Sequence, residues 1–82
     1  MPIYQLDDLV PSIDPDTYVS DSADLIGNVT LEAGVSIWSH VSIRADNAPI
    51  VIRRNSNVQE STVMHVDEGC PLTVHENVTV GH

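Results

Sequence analysis

The sequence contains no lysine and only three basic residues, Arg44, Arg53 and Arg54, against twelve acidic ones. Its formal net charge of −9 at pH 7 repels phosphate backbones and anionic lipid surfaces, so neither nucleic acid nor a membrane is an expected partner. With one cysteine, Cys70, an internal disulfide is excluded and a reducing compartment is favoured. No apolar run approaches the length of a membrane span, and no basic leader with an apolar segment opens the chain, so a cytoplasmic location is expected. Apolar residues also fail to recur at 3.6-residue or heptad spacing, which argues against a long helix. The 82 residues allow one small domain with a thin core.

What the sequence has is a beat of six. Ile13, Val19, Leu25, Leu31, Ile37 and Ile43 follow at strict spacing, and the beat resumes at Ile52, Val58 and Met64, then at Val74 and Val80. The two breaks contain Pro49, then Gly69 and Pro71, and read as insertions between repeats. Two residues before many beats stands a second apolar residue: Val29, Val35, Val41, Ile50, Leu72 and Val78. That alternation is a short strand with two inward side chains. The triplets after the beats, "EAG", "WSH", "RAD", "RRN" and "QES", read as turns.

One strand and one turn every six residues is the pattern of a hexapeptide parallel β-helix, in which three hexads close a triangular coil. An antiparallel sandwich of short strands is the competing all-β reading, but its turns are not usually so evenly spaced. We expect residues 1–12 to be a capping segment and residues 13–82 to be the repeats. The chain stops at "VTVGH" without a capping element, and stacked coils need capped ends. It is therefore expected to be part of a longer protein.

The repeat places polar residues on corners. Arg44 follows Ile43 and His65 follows Met64, so both occupy one corner, a coil apart. Gln59, one residue after Val58, and His82, two after Val80, are expected on a second corner. Adjacent coils lie about 4.8 Å apart, within contact distance. Two ridges on different corners of one prism meet readily only if prisms assemble side by side. A threefold ring does this with identical contacts, and neutral imidazoles at such a seam suit zinc or a similar divalent ion.

The pieces "RAD" (Arg44, Asp46), "NVQE" (Asn57, Gln59), His65 six residues after Gln59, and "VTVGH" ending at His82 resemble the γ-class carbonic anhydrases among hexapeptide-repeat proteins. The resemblance runs from about Leu25 to the end. It implies a homotrimer of single-stranded, left-handed parallel β-helices binding zinc, or another divalent metal such as iron or cobalt, between subunits. His65 and His82 would be two kinds of metal ligand, and a third would lie five residues beyond His82, above His65. Arg44 and Asp46 would form an interface ion pair, with Gln59 and Asn57 beside the metal-bound solvent. The implied reaction is reversible hydration of carbon dioxide to bicarbonate by metal-bound hydroxide. Asn47 stands where active members carry a glutamate after the aspartate. Glu68 lies near the position of a proposed proton shuttle.

Two other functions fit the same architecture: a hexapeptide acyltransferase using one histidine as base, and a non-catalytic metal-binding trimeric scaffold. Nothing in the spacing supports a site role for His40 or His75, which read as surface residues. Arg53 and Arg54 read as solvated, and Trp38 as a seam cover, a cap or core overflow. Cys70 has no neighbouring base to make it a nucleophile.

Overall fold

The computed structural model describes residues 3–82, so the first two residues of the expected 1–12 segment lie outside the description. All the regular structure among these residues is strand: β1 (Ile3–Tyr4), β2 (Ser12–Ile13), β3 (Tyr18–Val19), β4 (Asp24–Leu31), β5 (Ser36–Ile37), β6 (Ser42–Ile52), β7 (Asn57–Val58), β8 (Val63–His65), β9 (Leu72–Val74) and β10 (Thr79–Val80). They build a parallel β-helix of about four turns. The first wall stacks β1, the start of β4, the start of β6, and β8. The second stacks β2, the ends of β4 and β6, and β9. The third is β3, β5, β7 and β10.

Register follows the beat of six. Val19 lies against Ile37 and Leu25 against Ile43, each eighteen residues on, as three hexads require. The insertions at Pro49 and at Gly69–Pro71 then lengthen the offset without breaking it, pairing Ile43 with Met64, Ile52 with Val74 and Val58 with Val80. Each stack of like residues fills the prism axis. Leu25, Val29, Ile37, Ile43, Ile50, Ile52 and Val58 are wholly buried, and Met64 is 7% exposed. Fully burying one such side chain stabilises by about 1.5–3 kcal/mol, so these stacks supply the main driving force of the fold.

Inward positions are not all apolar: Ser56 and Thr62 are buried too. Ser56 is wholly buried where the neighbouring coil carries Val35. Its hydroxyl donates to the His75 carbonyl and accepts the Val78 N–H at 2.9 Å, so both needs are met.

The corners show why particular residues stand there. Gly34, Asn55 and Asn77 occupy equivalent corner positions on successive coils, all with left-handed φ (77°, 62° and 59°). Asn tolerates that region, and Gly34 has a second reason to lack a side chain. A Cβ there would run into the Asn55 amide oxygen.

One corner departs from the sequence reading. "RAD" was expected to turn, yet Arg44–Asp46 continue as strand inside β6, and Ala45 is wholly buried. The bend is made without a hydrogen-bonded turn. Gly27 at φ 84° lies under Ala45, and the β4–β6 register shifts between Gly27 and Val29. Small residues on both coils let the ladder round the corner, and a Cβ on Gly27 would come 2.5 Å from the Ala45 carbonyl oxygen.

Candidate functional site

The first polar ridge lies where the first wall meets the second. Arg44 and His65 are direct register partners on adjacent coils. Asp46, two residues along the strand from Arg44, projects from the same side of β6 and meets both. Its Oδ1 is 3.0 Å from His65 Nε2, and its Oδ2 is 3.6 Å from an Arg44 guanidinium nitrogen. The Asn47 side-chain amide donates to Asp46 Oδ1 at 3.2 Å and to the Val66 carbonyl at 3.3 Å, tying this carboxylate to the next coil. The Asp46 carboxyl is held below its ordinary range. Desolvation pushes it up, but the hydrogen bond with His65, a bond to its own backbone N–H, and the Arg44 and His65 charges outweigh that.

The second ridge lies where the third wall meets the first. Gln59 is half-buried, and its backbone N–H donates to the Val80 carbonyl at 2.9 Å. Sequence counting put His82 beside Gln59, and here the structure moves it by one place. Asn57 pairs with Thr79 and Val58 with Val80, so Gln59 faces Gly81 and His82 falls over Glu60. His82 Nε2 is 3.3 Å from Glu60 Oε1. The Thr62 hydroxyl pins the Gly81 carbonyl at 2.8 Å, fixing the chain just before His82. Asn57 donates to the Thr79 hydroxyl at 3.0 Å.

The structure therefore brings Arg44, Asp46 and His65 together, and separately groups Asn57, Gln59, Glu60 and His82. It does not bring the two groups together within one chain. Glu68 is exposed on the loop that leaves His65 and joins neither group. Among the described residues, no three His, Cys, Asp or Glu side chains are grouped to hold a metal ion. The donor chemistry nevertheless suits one: each of His65 and His82 sets Nε2 beside a carboxylate of the preceding coil. An imidazole anchored in that way keeps its other nitrogen for a metal.

Sequence reasoning missed Glu60. The signal was present, because the Val58–Val80 offset carried two residues further pairs Glu60 with His82. It also left Trp38 open. Trp38 is 41% exposed, with its ring centroid 5.0 Å from that of Tyr18, so it belongs to the outer surface and not to the core. Arg53 is not simply solvated, since it lies 3.9 Å from Glu32, which also accepts the Arg54 backbone N–H. His40, His75 and Cys70 are exposed.

No protein-family model matches the chain. It is 38% identical over 82 residues to the carnitine operon proteins CaiE of Salmonella newport (strain SL254) and Salmonella heidelberg (strain SL476). These alignments take in 100% of this chain and 41% of each relative, so the chain spans about two-fifths of their length. Its backbone superposes on a hexapeptide transferase family protein from Anaplasma phagocytophilum with a TM-score of 0.92 and 28% identity, covering 99% of this chain and 47% of that one. These likenesses support a hexapeptide-repeat protein, and the fold is the left-handed β-helix.

Proposed function

We propose that this hexapeptide-repeat β-helix is a metal-dependent, γ-carbonic anhydrase-like protein that hydrates carbon dioxide at a site between subunits of a cytoplasmic homotrimer. The observation that carries the reading is the split of the site: one corner holds Arg44, Asp46 and His65, another holds Asn57, Gln59 and His82. Each half carries one imidazole next to a carboxylate, and a seam between prisms joins them.

His65 of one subunit and His82 of its neighbour would hold zinc, or iron or cobalt, with a third ligand beyond His82. A divalent ion held there supplies water that ionises near neutral pH. The remaining roles fall to this chain's own groups. Asp46 fixes the His65 ring, and Arg44 balances Asp46. Gln59, half-buried with a free amide, orients carbon dioxide and bicarbonate by hydrogen bonds, with Asn57 beside it. Glu68, exposed just after His65, passes the proton to solvent in place of the glutamate that Asn47 replaces.

The test is metal content and carbon dioxide hydration of the whole protein carrying this chain. Gln59→Ala should keep the ion and lose turnover, whereas His65→Ala and His82→Ala should lose both. Hydration that survives without metal contradicts the reading, and metal-independent acyl transfer that is lost in one histidine variant favours a single-base acyltransferase. A metal-loaded trimer with no hydration activity favours the scaffold.

A further inference from the structure

We propose that Trp38 of one subunit seats between Ile26 and Arg44 of its neighbour and positions the Arg44 guanidinium, an inference that rests on the homotrimer of the hydration reading. Each ridge continues below the site as a column, one residue per coil. Beneath His65 the first ridge carries Arg44 and then Ile26, direct register partners on successive coils. On the second, Ile37 pairs with Val58 and Val58 with Val80, so Trp38 stands beneath Gln59 and Gln59 beneath Gly81. A threefold axis along the coils leaves every residue's height unchanged, and a seam that joins two such columns repeats with the coil. Within a coil of eighteen residues, Trp38 comes twelve after Ile26 and six before Arg44. Its height therefore falls between the two, nearer Arg44. Two coils higher, His82 stands in nearly the same relation to His65 and the position above it. A seam that brings His82 to His65 thus carries Trp38 into the notch between Ile26 and Arg44.

The three side chains suit that contact. Trp38, the one tryptophan of the sequence, is exposed in the single chain. Its polar atom is already satisfied, because the indole N–H donates to the Ser36 hydroxyl at 3.2 Å. Covering the ring therefore strands no donor. The Tyr18 ring, 5.0 Å away at 46°, supports the indole from within its own subunit. Ile26 is an aliphatic side chain turned outward on β4, between the buried residues Leu25 and Gly27. Arg44 is exposed and meets Asp46 through one guanidinium nitrogen at 3.6 Å, which leaves the face of the planar group to an indole. Arginine stacks on tryptophan through dispersion and cation–π attraction. Arg44 is then held by Asp46 of its own subunit and by the neighbour's indole, and Asp46 in turn meets His65. Trp38 is a positioning residue: closing the seam sets the ion pair that orients a metal ligand.

The test uses the whole protein and has two arms. In the first, native cysteines, Cys70 among them, are replaced by serine, and Ile26→Cys is combined with Trp38→Cys. A short bismaleimide at low protein concentration should then give covalent dimers and trimers on denaturing gels, and either thiol alone should give monomers. Both positions lie outside the core, so the coil stays folded. The second arm keeps the native side chains and follows the arginine Nε–H signals by NMR. The indole ring should shift the Arg44 signal upfield in the trimer, Trp38→Leu should abolish that shift, and Trp38→Phe should keep part of it. The Arg53 and Arg54 signals, on another corner, should not move. Absence of the cross-link, or an Arg44 signal that Trp38→Leu leaves unmoved, overturns the inference; trimers that still bind metal then leave the hydration reading standing. A protein that is monomeric throughout overturns both. Cross-linked trimers that bind no metal support this seam and contradict the hydration reading instead.

Discussion

Arg44 and His65 are register partners on neighbouring coils, and the single carboxylate of Asp46 meets both. Because their attraction holds the Asp46 pKa below its ordinary value, the pair contributes stability that is present above the ordinary carboxylate range. That contribution is lost as pH falls through the depressed pKa. Thermal melts of the native chain and of Asp46→Asn should therefore differ at neutral pH, draw together once pH falls below about 4, and converge only below the depressed pKa. A difference that persists unchanged at lower pH contradicts the pairing.

Ile43 is wholly buried between Leu25 and Met64 in the first wall. Ile43→Ala removes packing from three coils at once and should cost about 2–5 kcal/mol in chemical denaturation. A cost below about 0.5 kcal/mol, typical of surface sites, contradicts the register.

Gly34 combines a left-handed φ with contact against Asn55. Gly34→Ala should destabilise by about 1–2 kcal/mol from the backbone alone, and by more from the collision. Adding Asn55→Gly should recover only the collision part, so the two substitutions should be non-additive. Strict additivity would contradict the contact.

The sequence made the coil legible because a hexad beat is local: every inward residue can be counted from its neighbours. Ile37, Ile43, Val58 and Met64 are buried where the count places them. The "RAD" corner escaped because its bend depends on Gly27 and Ala45 meeting across coils, a relation that one hexad does not contain. The first ridge was likewise readable, since Arg44 and His65 each follow a beat by one residue. Glu60 was passed over because it and His82 each follow their beat by two, one place beyond the residue that marks a ridge. Asn47 reads by type as the loss of an acid. In the structure its amide holds Asp46 and the next coil, a role that residue type alone does not reveal.

Asp46 balances Arg44 within its own ridge, and in the proposed trimer it would face the neighbour's second ridge. Asp46→Arg puts two guanidinium groups together and should shift the whole protein from trimer towards monomer in sedimentation velocity. An undiminished trimer contradicts a seam at this corner.

In the proposed trimer, His65 and His82 of different subunits serve one ion. The most direct test is metal content after mixing His65→Ala subunits with His82→Ala subunits of the whole protein. Each variant alone should form trimers nearly free of metal, since every seam lacks one ligand. In a mixed ring, one seam joins the intact His65 of one subunit to the intact His82 of the next, and metal should return there. Mixed trimers that recover no metal would contradict the intersubunit site and leave both histidines as surface residues of the coil.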